Sequence, residues 1–340
     1  MAEPATLWNE GAKWQRGYEI LPRSTPGTNT SFDRIALAAH KTTEILRLRP
    51  AELPANLNLD PKPSTVLPSD GIKAAYYTAA FLLQRVVADK LDVDPVEIEV
   101  AGLNRVALPG DPMSRQVGEL ILCDSLPNGS GFVAELYRML LSAGEDNVLR
   151  QVLYQRDIKP GDKIAYTDTF LLDSHRQACA DACYDCLKGY RNMSYHALLD
   201  WRLAVGLLRL MFEKSYHSGA DGVFDAPEMK DWLVEVQKLR DLFCDSFNTA
   251  DATVEPVTIQ PVSGVSLPGI RLAGADIMLI IHPFWNTTAL TDPGWLANIV
   301  AKAQRMASEA GGQVHCIDSF NLHRRQGRCY EWLIDGKYVL

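Results

Sequence analysis

Three of the seven cysteines in this 340-residue chain fall within eight positions, and they are the side chains with the clearest capacity for chemistry. They form the run Cys179-Ala-Asp-Ala-Cys183-Tyr-Asp-Cys186. Thiolates four and three positions apart can converge on one tetrahedral ion, because a turn of the chain brings their sulfurs to one side. The spacing predicts a metal site, with zinc as the expected ion.

A tetrahedral site needs a fourth ligand, and His196, ten residues after Cys186, is the first choice. His175, four residues before Cys179, is the alternative. A closed set of three thiolates and one imidazole is typical of structural zinc, whereas catalytic zinc keeps one position open for water. We therefore expect Cys179, Cys183, Cys186 and His196 to hold a structural zinc ion.

Other chemistry is open to the same thiols. Cys183 and Cys186 form a Cys-x-x-Cys pair, which in redox proteins normally lies at the strand-to-helix junction of a thioredoxin-like unit. No strand is predicted before Cys183, which counts against a redox pair. An iron–sulfur ligand set, or three small buried residues without a metal, are the remaining alternatives.

A glycine-rich turn, Asp124-Ser-Leu-Pro-Asn-Gly-Ser-Gly131, joins a predicted strand at 117–123 to a predicted helix at 132–142. Backbone amides at a helix N-terminus bind anions. The turn nevertheless lacks both the phosphate-loop motif, which occurs nowhere in the chain, and the three-glycine dinucleotide spacing. We expect these glycines to serve a tight turn, and Asp124 is the residue to test if the turn is a site.

The composition excludes several classes of protein. With a net charge of −8 and a pI near 5.4, the chain has no global basic surface for nucleic acid, so any DNA contact is local or made through a partner. No apolar run reaches the roughly 18 residues of a membrane span, and the N-terminus lacks a signal-peptide pattern. The other four cysteines are scattered singly, like reduced core thiols. We expect a cytoplasmic protein.

Hydrophobic patterns define the elements around the cysteines. A proline-rich connector at 50–68 predicts no regular structure, and a long helix follows at 69–91. A helix from His196 to Met211 packs against the metal knuckle, and Asp225-Ala-Pro-Glu228 opens the next helix, which ends near Phe247. The other predicted elements are strands at 43–49, 96–100, 277–281 and 314–318 and a helix from Asp292 to just before Gly311.

Together these elements predict an α/β (mixed α+β) fold. It has an N-terminal mixed sheet with helices, a central helical zinc knuckle at 175–200, and a C-terminal β-α-β unit with parallel strands. The predicted divisions are a flexible lead-in at 1–31, a zinc-binding domain at 32–250, and a C-terminal α/β subdomain at 251–340.

The cysteine run and the residues after it, Cys179…Cys183-Tyr-Asp-Cys186-Leu-Lys-Gly-Tyr-Arg-Asn192…His196-Ala-Leu-Leu-Asp-Trp-Arg202, resemble the MrfA-type zinc-binding (MZB) domain family. The turn from Asp124 to Phe132 resembles the family's Asp…Pro-Gly-Gly-x-Gly turn, and the two motifs occur in the family's order. The resemblance covers residues 35 to 215 well. Asn192 stands where helicase-type members have a fourth cysteine, as in the DrmB-like branch.

This resemblance implies a DNA-processing role. Its members act in or beside superfamily-two DNA helicases, in DISARM-type anti-phage defence or in DNA repair. The chain has no Walker motif, so the resemblance implies a zinc-binding accessory subunit without catalytic activity of its own, whose partner helicase supplies translocation. The candidate DNA-facing residues are Lys188, Arg191 and Arg202 around the knuckle and His323, Arg324, Arg325 and Arg328 in the tail.

Rival interpretations remain open at this point. The candidate DNA-facing residues are equally consistent with an ordinary solvent-exposed face, on which they pair with acidic neighbours. A metal-dependent nuclease would use Asp276, His282, Asp318 or His323 around the final β-α-β unit, although no nuclease motif is present. A third interpretation is a scaffold that binds only proteins, and the net negative charge of the chain favours it.

Overall fold

The structure is a computed structural model. It describes residues 42–340 except 63, 65, 66, 160, 251, 289 and 291–293, together with three strands in the preceding segment. The chain divides into two compact units, residues 1–42 and 43–340. The predicted subdivision at residue 250 stays a prediction.

In the first unit, the described residues form one antiparallel sheet. Its strands are β1 (Glu3–Glu10), β2 (Lys13–Glu19) and β3 (Arg34–Ile35), in the order β1-β2-β3. The flexible lead-in predicted at 1–31 therefore contains two paired strands, and the rest of it lies outside the described residues.

The second unit begins with an antiparallel sheet and a long helix. The sheet has the order β4-β6-β5, formed by β4 (Ile45–Leu48), β5 (Ile98–Ala107) and β6 (Gln116–Asp124), so it is antiparallel rather than mixed. Helix α1 (Asp70–Leu91) packs on it through a buried stripe of small and aliphatic residues, as the sequence predicts.

Gly118 in β6 allows the closest approach of α1 to this sheet. Its N–H donates to the hydroxyl of Tyr76 at 3.0 Å, and a Cβ at this position would lie 2.5 Å from the Tyr76 ring. The described residues of the proline-rich connector form no helix or strand, as predicted. Leu57 in the connector makes an isolated bridge to Trp285.

Asp124 closes the glycine-rich turn from within. The carboxylate is fully buried and accepts hydrogen bonds from the backbone N–H groups of Ser130 (2.6 Å), Gly131 (2.7 Å) and Val133 (3.0 Å). These amides are the ones that an anion would need at the start of α2 (Phe132–Leu141). The protein's own carboxylate occupies them, as expected for a structural turn.

The C-terminal sheet has the order β10-β9-β8-β7. Strands β9 (Asp276–Ile281) and β10 (Val314–Asp318) are parallel and joined by α8 (Trp295–Glu309), which confirms the predicted β-α-β unit. The hairpin of β7 (Val254–Ile259) and β8 (Leu267–Leu272) was not predicted, because Pro256 interrupts the first strand and Pro268 and Gly269 interrupt the second. β7 is an edge strand, where a proline is tolerated.

The remaining helices connect and cover the two sheets of this unit. The helix predicted from His196 begins at Trp201, because a 3₁₀ helix (Tyr190–Tyr195) precedes it and Asp200 caps it through the N–H of Leu203. The helix predicted from Asp225 begins later, and the two helices at the end of the chain were not predicted. These helices are α3 (Val148–Leu153), α4 (Tyr166–Phe170), α5 (Asp173–Ala178), α6 (Trp201–Phe212), α7 (Trp232–Phe247), α9 (Ser319–Arg324) and α10 (Gln326–Ile334), with short 3₁₀ turns at Pro95–Glu97 and Gly144–Asp146.

The mixed α/β class is confirmed. Helix α6 is almost wholly buried and packs against α1, so the core runs from the antiparallel sheet through α1 to α6. The cysteine run lies between α5 and α6, next to this core.

Candidate metal centre

One cluster in the described part of the chain brings together side chains that could hold a metal ion. His175 Nε2 or Nδ1 and the sulfurs of Cys179, Cys183 and Cys186 all lie within 4.8 Å of one another. The sulfurs of Cys179 and Cys186 are 3.8 Å apart, and Cys183 Sγ is 3.7 Å from His175 Nε2. Around a tetrahedral zinc ion with Zn–S bonds of about 2.3 Å, neighbouring sulfurs would be about 3.8 Å apart. The four side chains therefore fit one ion.

Two local structures assemble this set. His175 lies on the short helix α5, and Cys179 follows directly at its C-terminal end, one helical turn later. Cys183 and Cys186 lie in the next turn, where the N–H of Cys183 donates to Cys186 Sγ at 3.0 Å. The run from His175 to Cys186 thus supplies all four ligands from twelve consecutive residues.

His196, the expected fourth ligand, does not join the cluster. The 3₁₀ helix before it directs its ring back into the loop, where Nε2 lies 3.1 Å from Gly189 O and 3.0 Å from Asn192 Oδ1. Asn192 in turn donates to Leu187 O at 2.8 Å. The structure thus brings the alternative, His175, to the three cysteines, and His196 closes the following loop instead.

The surroundings of His175 hold its ring in a ligand orientation. Nδ1 lies 2.8 Å from the carbonyl oxygen of Phe170, so Nδ1 carries the proton and Nε2 presents a lone pair to the sulfurs. The ring also stacks on Phe170, with centroids 5.4 Å apart, and contacts Trp201. A backbone acceptor on the second nitrogen is the usual companion of a metal-bound histidine.

Electrostatics within the cluster favour a cation. The pKa of Cys186 is lowered from its ordinary value, chiefly because the Cys179 thiol donates to its sulfur. The pKa of Cys179 rises, first through that same hydrogen bond and then through burial, and burial also raises the pKa of Cys183. Cysteine binds a metal as the thiolate, so a divalent ion at this position would favour ionisation of all three thiols.

Two arginines predicted to face DNA bind the knuckle itself. Arg202 donates to the carbonyl oxygens of Arg176 and Cys179, both at 3.0 Å, and to that of Ala180. Arg324, on α9, reaches Asp181 Oδ2 at 3.1 Å. Both side chains therefore anchor the cysteine run to the rest of the unit, a role that the sequence did not reveal.

Arg324 makes two further contacts with the segment before α6. Its guanidinium lies 3.4 Å from Asp200 Oδ2 and donates to Leu199 O at 2.9 Å. The other two tail arginines are more exposed than Arg324. Arg325 pairs with Asp70 at 3.0 Å, and Arg328 pairs with Glu331, three residues later, at 2.6 Å.

Of the remaining basic candidates, His323 and Arg191 are exposed and Lys188 is half-buried. His323 is exposed at the rim of a cavity between the knuckle and α7. Lys188 and Arg191 lie on the loop after Cys186 and line another cavity. The structure therefore separates the basic candidates into anchoring arginines and outward-facing residues.

The four nuclease candidates do not converge as one metal-ligand group in the described part of the chain, although His282 and His323 line the same cavity. Asp276 lies at the amino end of β9 and contacts His315 at 3.3 Å, whereas Asp318 lies at the carboxyl end of β10. Because Asp318 is in register with Ile281, the two carboxylates are separated by about 16 Å of strand. Both oxygens of Asp318 accept hydrogen bonds from Asn321.

His282, another of the nuclease candidates, follows Ile281 directly at the carboxyl end of β9 and is buried. Burial lowers the pKa of His282 to about 3, and its Nδ1 accepts from the N–H of Phe284 at 3.2 Å. Among the residues that the structure describes, no second group of three or more His, Cys, Asp and Glu side chains converges as the cysteine cluster does.

Comparison with known proteins finds no matching family model, no matching curated protein and no matching solved structure. The resemblance to the MZB family therefore stays a prediction based on the two motifs. None of the described helices combines the length and the apolar character needed to cross a membrane.

Proposed function

We propose that this chain is a zinc-binding, non-motor accessory subunit of a superfamily-two DNA helicase complex, in DISARM-like anti-phage defence or in DNA repair. The observation that carries the proposal is the convergence of His175 with the three cysteines of the run that resembles the MZB family. The partner helicase supplies ATP-driven translocation, and this chain contributes docking and DNA engagement.

Zinc is the proposed ion because the ligands are three thiolates and one imidazole. Soft sulfur ligands in a tetrahedral set favour zinc over magnesium or calcium, which prefer oxygen. Cys179 and Cys186 are buried, and the four protein ligands complete the coordination of a tetrahedral ion. Such closed sites are structural, and the free energy of metal binding in them stabilises the fold.

The position of the cluster supports a structural role. Trp201 Nε1 at the start of α6 donates to the carbonyl oxygen of Cys179 at 3.0 Å, and the Tyr166 hydroxyl donates to that of Cys186 at 2.8 Å. A bound ion would therefore fix the backbone between α5 and α6 and the surface loop after Cys186. That surface is where we place the contribution to partner and DNA binding.

Co-expression of this chain with a candidate superfamily-two helicase from the same genome tests the proposal. We expect the two proteins to elute as one complex in size-exclusion chromatography, with about one zinc per copy of this chain. We also expect the complex to bind DNA more tightly than the helicase alone. A complex whose DNA affinity equals that of the helicase would instead indicate a protein-only scaffold. Magnesium-dependent cleavage of plasmid by this chain alone would contradict the absence of catalytic activity.

A further inference from the structure

A half-open groove of about 550 Å³ lies between the loop that follows the metal ligands and the start of β5. We call it the knuckle groove. Lys188, Tyr190 and Arg191 line one wall, and Pro95 and Val96 line the other. Its volume falls within the roughly 300–1,000 Å³ that ligand sites usually span.

Tyr190 is the most informative side chain of the knuckle groove. It is 87% exposed, and no aromatic ring in the described residues packs against it. Tyr195, deeper in the groove, contacts Tyr77 and Phe81 with centroids 5.2 Å and 5.1 Å away. A flat ring presented to solvent in a groove is the feature on which unpaired bases stack in single-strand-binding proteins.

Two basic residues, Lys188 and Arg191, flank Tyr190 in the sequence. No described carboxylate forms an ion pair with Lys188 or Arg191, whereas Arg202 and Arg324 are engaged by the protein itself. The opposite wall carries the carboxylates of Asp94 and Glu99. Positive charge is therefore concentrated on the Tyr190 wall, so a phosphate backbone would run along that side.

The loop that carries these three side chains is internally fixed. Asn192 Oδ1 accepts from the N–H of Gly189 at 2.9 Å, and its Nδ2 donates to Leu187 O at 2.8 Å. His196 lies within hydrogen-bond distance of the same loop, and Cys186 ties its beginning to the metal cluster. A preorganised loop loses little conformational freedom when a ligand binds.

We propose that the knuckle groove binds single-stranded nucleic acid, with one base stacked on Tyr190 and the adjoining phosphates against Lys188 and Arg191. The inference rests on the proposed function and deepens it, because it names the structure of the nucleic acid and the residues that contact it. Stacking on an exposed ring requires an unpaired base, so duplex DNA is excluded as the preferred ligand. The chemistry is shared by DNA and RNA, and within a helicase complex the ligand is DNA.

Fluorescence anisotropy with the zinc-loaded full chain tests this inference. The probes are fluorescein-labelled oligo-dT, oligo-U of the same length and a hairpin duplex. Tyr190→Ala is expected to weaken oligo-dT binding about tenfold, because the stacking of a base on this ring is lost. Lys188→Ala/Arg191→Ala is expected to lower the slope of log affinity against log salt by about 1.4, since each phosphate contact on a single strand contributes roughly 0.7.

Matched controls separate a site from general charge. Tyr137 is an exposed aromatic residue on α2, and Arg305 is an exposed cation on α8, so Tyr137→Ala and Arg305→Ala should bind oligo-dT like the wild type. Equal binding by Tyr190→Ala and Tyr137→Ala would overturn the inference, as would tighter binding to the duplex. Tighter binding of oligo-U than of oligo-dT would place the site on RNA and contradict the assignment to DNA.

The outcome is distinguishable from failure of the proposed function. If the chain forms its helicase complex but no oligonucleotide binds, the knuckle groove is not a nucleic-acid site and the accessory role stands. If Tyr190→Ala instead abolishes assembly with the helicase, the groove is a protein-docking surface. If oligo-dT binds at the groove but no helicase complex forms, the inference holds and the accessory role fails.

Discussion

Arg324→Ala is predicted to destabilise the second unit, because this residue links helix α9 to the metal knuckle. The side chain is largely buried and makes ion pairs with Asp181 and Asp200, and it also donates to the backbone of Leu199. The guanidinium also lies 4.1 Å from the ring centroid of Phe320. Its partners come from a segment more than 120 residues earlier in the chain, so the contacts hold two distant parts together.

The expected magnitude can be worked out from these contacts. Each hydrogen bond to a charged group contributes roughly 1.5–3 kcal/mol when well formed, and the distances of 3.1 and 3.4 Å to the carboxylates place them near the lower end. The cation–π contact adds about 0.5–1 kcal/mol. Both carboxylates keep a backbone donor after the substitution, so neither is left without a partner. With allowance for partial exposure, we expect a total loss of about 3 kcal/mol.

Urea unfolding and calorimetry measure this loss. A decrease of about 3 kcal/mol in the free energy of unfolding corresponds to a fall in Tm of roughly 6 °C for a unit of this size. Arg328→Ala is the control, because its exposed pair with Glu331 should contribute less than about 1 kcal/mol. An Arg324→Ala protein as stable as the Arg328→Ala protein would refute the structural role of Arg324. If such a stable variant bound DNA less tightly than the wild type, Arg324 would again be a candidate DNA-facing residue.

Two further predictions concern the core. Burial raises the pKa of Asp318 to about 6, above the value of about 3.9 in an unfolded chain. Between these two values the folded state binds more protons than the unfolded state. The free energy of unfolding therefore falls as the pH rises through about 4 to 6. As the pH rises from 4 to 7.5, the free energy of unfolding of Asp318→Asn, measured by urea titration, should therefore increase relative to that of the wild type. A difference between the two proteins that stays constant across this range would count against the buried charge. Gly118→Ala places a Cβ 2.5 Å from the Tyr76 ring and should cost about 1–3 kcal/mol in the same assay, so a neutral effect would show that α1 can move away from β6.

The three cysteines of the candidate metal centre could be predicted from the sequence, whereas the sequence left two choices for the fourth candidate ligand. Spacings of four and three residues constrain the three sulfurs, because local turns bring them to one side. His196 lies ten positions after Cys186, and a separation of that length imposes no such constraint. One turn of α5 places His175 next to Cys179, whereas the 3₁₀ helix at Tyr190–Tyr195 turns His196 toward Gly189. The periodic spacing of His175 from Cys179 was the available signal.

The fold shows the same division between local and distant information. Apolar runs at 277–281 and 314–318 predicted the parallel β-α-β unit, because buried strands leave a strong pattern. The β7–β8 hairpin escaped prediction because its prolines and glycines weaken that pattern, and backbone pairing across the hairpin determines its structure. The role of Arg324 was also hidden, since a sequence shows a charge and not the carboxylates that meet it.

The zinc content of two histidine variants tests the central claim most directly. We expect wild-type protein purified without added metal to contain about one zinc per chain, and His196→Ala to retain it. His175→Ala should bind zinc at least 100-fold more weakly in competition with a chromophoric chelator. Loss of a residue that only hydrogen-bonds to a metal ligand already lowers metal affinity about 10- to 100-fold, and loss of the ligand itself should lower it at least as much. Retention of zinc by His175→Ala together with its loss from His196→Ala, or a wild-type protein that binds no zinc, would contradict the account.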